Sequence, residues 1–282
     1  LNGSMRYIFQ FIVACLGIIL IGIIPVIFYA IVKLFKDLKD ILITLFNLGD
    51  LTYTVKGTVR PVFPAIIEPY LYSMTVLFVA LIIGVVSAVI LTYITMLLHR
   101  KIINGIKFVV FILESLPDIF VILLVQAFII FIYHKTDTLL FSIAVYKEKI
   151  YFLPIICLAV LPAVQFYKIL ILIFEEELEQ PYVELARGKG MKKSWILLNH
   201  VLRNAAISMF YHSKSILWFM LSNLLILEYL FNLFGITTFL REYMTPSIFT
   251  IGVFMIFFPL FIIYSVGERL ILRLKEREAA KI

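Results

Sequence analysis

Residues 175–205, EEELEQPYVELARGKGMKKSWILLNHVLRNA, form a charged, amphipathic island between two long apolar segments. A chain this hydrophobic has little reason to keep such a stretch between spans unless something outside the membrane docks there. The island opens on Glu175, Glu176, Glu177 and Glu179. Pro181 suits a first helical turn, where its missing N–H costs nothing. Tyr182, Val183, Leu185 and Ala186 then give a short helix with an apolar side, and Gly188 and Gly190 end it, because glycine takes the left-handed backbone of a helix terminus. Ser194 is placed to cap a second helix with Trp195, Leu198 and Leu202 on one face. The spacing predicts two short helices joined by a glycine bend and lying across the inner surface. The same residues also fit a basic, solvated loop that only holds topology, and spacing alone leaves both readings open.

Composition sets the class. Of 282 residues, 63% are hydrophobic and 15% charged, with a mean hydropathy of +1.06. Soluble domains are nearer half apolar and a quarter charged. This is an all-α, polytopic membrane protein. Its formal charge of +7 fits basic loops beside an anionic membrane, not nucleic-acid binding. Cys15 and Cys157 both lie in apolar runs and make neither a disulfide framework nor a metal site. His99, His134 and His200 share no ligand spacing, so no metal site is expected.

A helical span needs about 20 apolar residues. Six segments qualify, at about 7–32, 69–98, 108–133, 150–174, 205–234 and 247–266. They are too long and too uniformly apolar for barrel strands. With the N-terminus inside, the inner side holds 16 of the 25 Lys and Arg residues, among them Arg6, Arg100, Lys107, Lys189, Arg203 and the tail after Arg269. The outer side holds Lys33, Lys36, Lys39, Lys56, Arg60, Lys135, Lys147, Lys149 and Arg241. The bias places both termini in the cytoplasm, as an even number of spans requires.

In the first outer loop, Leu38, Ile41, Leu42 and Leu45 recur at helical spacing beside Lys36, Asp37, Lys39 and Asp40, a pattern for an amphipathic interfacial helix. Asn47–Asp50 ends it with turn residues. Leu1–Ser4 read as a cloning remnant before Met5, leaving one domain over 5–282 with the island at about 175–205. Ile12–Cys15 fits a lipoprotein-type cleavage pattern. The apolar run continues a full span beyond Cys15, however, which favours a plain transmembrane helix.

Several polar groups fall at or near span depth: Glu114, Asp118, Gln126, Lys168, His212, Lys214 and Glu228. Charge in a membrane is expensive and faces the bundle interior or water. Each residue therefore reads either as lining of a translocation path or as an interfacial or interhelical partner.

The island resembles the EAA loop of importer permeases in the ABC superfamily, which reads E-A-A, three residues, G, nine residues, I-x-L-P. Here stand Glu184-Leu185-Ala186, Gly190 and His200-Val201-Leu202-Arg203. Leu185, His200 and Arg203 depart from the general pattern. They match the narrower dipeptide/oligopeptide/nickel branch, whose YVxxAxxKG…LxxHxLRNA is met by Tyr182, Val183, Ala186, Lys189, Gly190, Leu197, His200, Leu202, Arg203, Asn204 and Ala205. The stretch Asn47–Asp50 with Arg60-Pro61-Val62 resembles the G-D-x-G…R-P-V of the branch's B-type permease. Ser115-Leu116-Pro117, Leu153-Pro154, Leu161-Pro162 and Glu228–Gly235 resemble further motifs along its spans. One departure is a first outer loop shorter than is usual in that branch.

The resemblance implies the membrane-spanning subunit of an ATP-driven importer for peptides, nickel or a metal chelate in a bacterial inner membrane. Its partners would be membrane lipid, a second permease, an extracellular binding protein and two cytoplasmic ATPases, which would hold ATP and Mg. The chain has no G-x-x-x-x-G-K-[ST] phosphate loop and no H-E-x-x-H, so no catalytic residue is expected on it. A stand-alone ion-coupled transporter or channel, using Glu114, Asp118 and Glu228, is the rival reading.

Overall fold

The computed structural model describes residues 3–27, 31–136 and 149–279, and side chains within 5–24, 38–136 and 149–273. Lys147 and Lys281, counted above in the charge bias, lie outside the described residues, as do 28–30 of the first expected span. In order come α1 (Gly3–Ile27), α2 (Ile31–Phe46), β1 (Thr52–Val55), β2 (Thr58–Pro61), α3 (Val62–Ala65), α4 (Ile67–Leu97), α5 (Arg100–Glu114), α6 (Asp118–Thr136) and α7 (Phe152–Leu178). Then follow α8 (Pro181–Gly188), α9 (Lys193–Ile196), a π-turn (Leu197–Val201), α10 (Leu202–Leu230), α11 (Ile236–Glu242) and α12 (Pro246–Ala279). Two units emerge: residues up to Met74 with those from Phe234, and Thr75–Leu233.

Five helices are long and apolar enough to cross a membrane, within α1, α4, α6, α7 and α12. Helices dominate because backbone groups in hydrocarbon must be satisfied within their own segment. One expectation needs correction, and a second is met only in part. The segment at 108–133 is not one span, since α5 and α6 are separate helices broken at Ser115–Pro117. Pro117 explains the break, because its ring disfavours helical backbone at Leu116 and it has no N–H to continue the ladder. The segment at 205–234 is helical over most of its length, but α10 is not among the five apolar helices. It is long enough at 29 residues, yet Arg203, His212, Lys214, Asn223 and Glu228 lower its hydropathy.

In the first unit, α2 is amphipathic as expected, with a shifted stripe: Ile41 is buried and Leu42 exposed. A hairpin not expected from the sequence follows. Thr52–Val55 pairs antiparallel with Thr58–Pro61, across Lys56 and Gly57 at φ +47° and +81°. Two positive φ values in a two-residue loop give the twist that a hairpin favours. Tyr53 packs its ring 5.5 Å from Phe239 and 4.6 Å from Tyr243. The adjoining core holds Leu51, Val62, Ile66, Ile236, Phe239 and Ile248.

Helices α1 and α12 meet through Phe11, whose ring lies 5.1 Å from that of Phe261, and through Gly22. A Cβ on Gly22 would sit 1.9 Å from Thr250 Oγ1 and 3.2 Å from its Cβ. Small residues let membrane helices approach closely where no water drives them together. Thr250 cannot easily yield, since its hydroxyl donates to Pro246 O at 2.8 Å. Gly22→Ala is therefore expected to destabilise the protein by about 1–3 kcal/mol. The expected readout is a lower unfolding midpoint in detergent, partly restored by adding Thr250→Ala; an unchanged midpoint would show that α1 does not rest on α12 there.

Candidate functional site

The island lies in the second unit. Helix α7 ends where Glu179 N–H donates to Glu176 O. The chain then turns at Gln180, and Pro181 takes the first position of α8 as expected. Val183 and Ala186 are buried, while Glu184 is exposed. The end of α8 explains its glycine. Met191 N–H donates to Ala186 O at 3.2 Å and Gly190 N–H to Arg187 O at 2.9 Å, with Gly190 at φ +77°. This is the paired closure of a Schellman end, which places a left-handed residue one step beyond the helix. At Gly190, any side chain would strain the backbone.

The second half of the island differs from the expectation. Lys192, not Ser194, stands at the helix start, and no side chain caps it. Nor is the second helix short: Ile196, Leu197, Val201 and Leu202 all keep right-handed helical backbone, so the helix runs on into α10. Within the island its buried residues are Ile196, Leu197, Val201 and Ala205, whereas Trp195 and Leu198 are 48% and 47% exposed. Four consecutive apolar residues, Trp195–Leu198, leave the helical period undetermined. The π-turn takes one residue more per turn than an α-turn and rotates the face presented after it.

Between α8 and this helix is a groove of about 390 Å³. Tyr182, Leu185, Ala186 and Lys189 form one wall, at one-face helical spacing; Asn199, His200, Arg203 and Asn204 form the other. The walls are tied together by a compact network. Tyr182 Oη donates to Glu177 Oε2, and Asn204 Nδ2 lies 3.1 Å from the same oxygen and 3.2 Å from Tyr182 Oη. Burial first, then the bond to Glu177, pushes the Tyr182 phenol up to about 12. The His200 ring packs 5.1 Å from Trp195 and 6.1 Å from Tyr182. Its Nε2 is buried with no hydrogen-bond partner.

Of the residues expected to line a path, several are held by partners on neighbouring helices. Glu114 pairs with Lys168 at 2.7 Å. Asp118 accepts from Asn223 at 2.9 Å, and Gln126 Nε2 donates to Leu230 O at 3.4 Å. His212 is exposed and Lys214 half-buried on α10, and Glu228 is 1% exposed near its end. A second ion pair, Lys107 to Glu175 at 2.7 Å, ties α5 to α7. These contacts fix direction: α6 and α10 run parallel, α5 and α7 antiparallel. Sequence reasoning missed Asn223, although an amide within an apolar stretch is itself a signal. It also missed the groove roles of Glu177, Met191 and Asn199. A larger, almost wholly apolar cleft of about 490 Å³ lies among α4, α5 and α7, with Tyr167 Oη 3.2 Å from Thr95 Oγ1 in its wall.

Five helices long and apolar enough to cross a membrane describe a polytopic membrane protein. The family model for binding-protein-dependent transport system inner membrane components matches residues 80–277, and the chain belongs to that family of ABC-transporter permeases. No curated protein matches it.

Tyr182→Phe would leave Glu177 with one donor fewer. A hydrogen bond to a charged group contributes about 1.5–3 kcal/mol, less when part-exposed. Amides of α8 are expected to exchange about tenfold faster in the variant, by hydrogen-exchange mass spectrometry. The linkage has a definite sign. The folded phenol titrates above the ordinary value of 10, so its contribution is full below 10 and is lost as pH rises toward about 12. Equal exchange in both proteins would show that the network does not hold α8.

Proposed function

We propose that the chain is one of two permease halves of an ATP-driven importer, carrying peptides or a related small solute such as nickel or a metal chelate. The observation that carries this reading is the Gly190-ended helix α8, exposed beside its groove within the residues matched to the permease family. The second half is a related permease, and an extracellular binding protein delivers solute. Two cytoplasmic ATPases, holding ATP and Mg, dock on the island. Their cycle supplies differential binding energy between inward-open and outward-open states, and α8 passes that shift to the helices continuous with the island. On this reading α10 is a sixth span whose Asn223 and Glu228 are buried within the protein, and both termini lie in the cytoplasm of a bacterial inner membrane. Glu184, exposed on α8, meets a basic group of the ATPase.

Gly190→Val leaves the apolar helices untouched, so membrane insertion should survive while ATPase association weakens. Misdocking by about 1.4 kcal/mol lowers the docked fraction tenfold, and transport of a panel of peptides and metal complexes should fall at least about that much. Glu184→Lys should act similarly through charge reversal. Unmodified transport rates in both variants would reduce the island to a solvated loop. Topology is checked by cysteine labelling: engineered sites at Lys147 should react from outside and at Lys192 from inside, and the reverse pattern would overturn the orientation.

A further inference from the structure

Where α6, α7 and α10 meet, a small pocket lies beside the break at Pro117. Asp118, Cys157, Leu158, Pro162, Met220 and Asn223 stand in its wall. It leaves about 10 Å³ of room for the centre of a water molecule, on the order of what one water needs. The polar groups of this wall are short of donors. Asn223 Nδ2 donates to Asp118 Oδ2 at 2.9 Å and to Phe219 O at 3.2 Å, so both amide hydrogens are used and the side-chain carbonyl oxygen remains. The other carboxylate oxygen of Asp118 meets no donor among the described residues. Pro162 lies inside α7 and has no N–H, so Leu158 O lacks the bond a helix would give it. Cys157 adds a weak S–H donor. Water can reach the side-chain oxygens. Among the described residues, the polar side-chain atoms sealed from a water-sized sphere without a partner are Thr92 Oγ1 and His200 Nε2, and neither belongs to this pocket.

We propose that this pocket holds one ordered water, which donates to two of the three oxygens of Asp118, Leu158 and Asn223 and so ties α6, α7 and α10 together. A pocket rich in acceptors takes a donor, and water is a donor of the right size. An anion would be repelled by the carboxylate. An apolar chain would leave every acceptor unpaired. A hard cation takes about six oxygens, and three are too few. The water also accounts for a proline at this depth. Spans tolerate proline where a side chain or an ordered water takes up the freed carbonyl, and a carbonyl left unbonded in hydrocarbon is expensive. A water bridge serves nearly as well as a direct bond. It leaves the Asp118–Asn223 pair intact and joins α7 to it.

The test is X-ray radiolysis of the full chain, with any subunits that copurify, in phosphatidylcholine nanodiscs. Hydroxyl radicals made from water react before they travel, so a buried methionine oxidises only where water sits beside it. Met220 is 0% exposed and lines the pocket. Met96, 3% exposed, lies away from it and is the control. Mass spectrometry should find dose-dependent oxidation of Met220 well above that of Met96. Asn223→Leu and Asp118→Leu each make part of the wall apolar at similar side-chain size, and each should lose the excess oxidation at Met220. Equal oxidation of Met220 and Met96 in the unmodified protein would show a dry pocket and overturn the site. That comparison decides the matter even where a variant fails to fold. In folded variants, loss in either one supports a water held by these side chains. Oxidation of Met220 that persists in both would show water passing through the bundle instead of a held molecule, and would also overturn it.

Discussion

A peptide backbone in hydrocarbon has no water to bond, so every N–H and C=O must find its partner within the protein. The long helices of this chain follow from that constraint, and so do the places where the helix is interrupted. Where α5 gives way to α6, Ser115 N–H still reaches Phe111 O and Ile112 O, and Val121 N–H reaches Pro117 O. Where α10 ends, Leu233 N–H donates to Glu228 O at 2.8 Å, and Asn232 takes a left-handed φ of +50°, a conformation asparagine tolerates better than most residues. The α8 terminus uses the same closure with a glycine. Each interruption is thus a compact turn that satisfies its own backbone.

Polar side chains within the second unit follow the same economy. Lys107 with Glu175, Lys168 with Glu114 and Asn223 with Asp118 each join two helices. Paired groups cost far less in a low-dielectric setting than isolated ones. These contacts fix which helices run together, with α6 and α10 parallel and α5 and α7 antiparallel. On α10, Glu228 is buried and Lys214 half-buried.

Much of this was legible in the sequence because it depends on local chemistry. Uniform apolar runs located α1, α4, α7 and α12, while the run at 108–133 merged the end of α5 with α6. Pro181 and Gly190 marked the start and end of α8, since both act through backbone geometry alone. What escaped reading depends on tertiary choice. Pro117 breaks the helix inside a run whose apolar residues continue on both sides of it, so the break leaves no mark in the hydropathy. The four apolar residues Trp195–Leu198 offer two possible faces, and the π-turn selects the one that buries Ile196 and Leu197. The short hairpin at Thr52–Pro61 has too few residues for a period-2 signal. The groove itself is formed by two short stretches, 182–191 and 199–204, brought together by the return of the chain at Gly190.

The central claim is that this returned chain is the surface on which the ATPases act. A photo-crosslinking residue in place of Leu185, the most exposed apolar side chain at the groove, tests that contact directly in cells co-expressing the ATPase subunits. The account predicts a crosslink to the ATPase at position 185 and none from the same residue placed at Lys101. A crosslink only to lipid at position 185, with ATPase contact at position 101 instead, would contradict it.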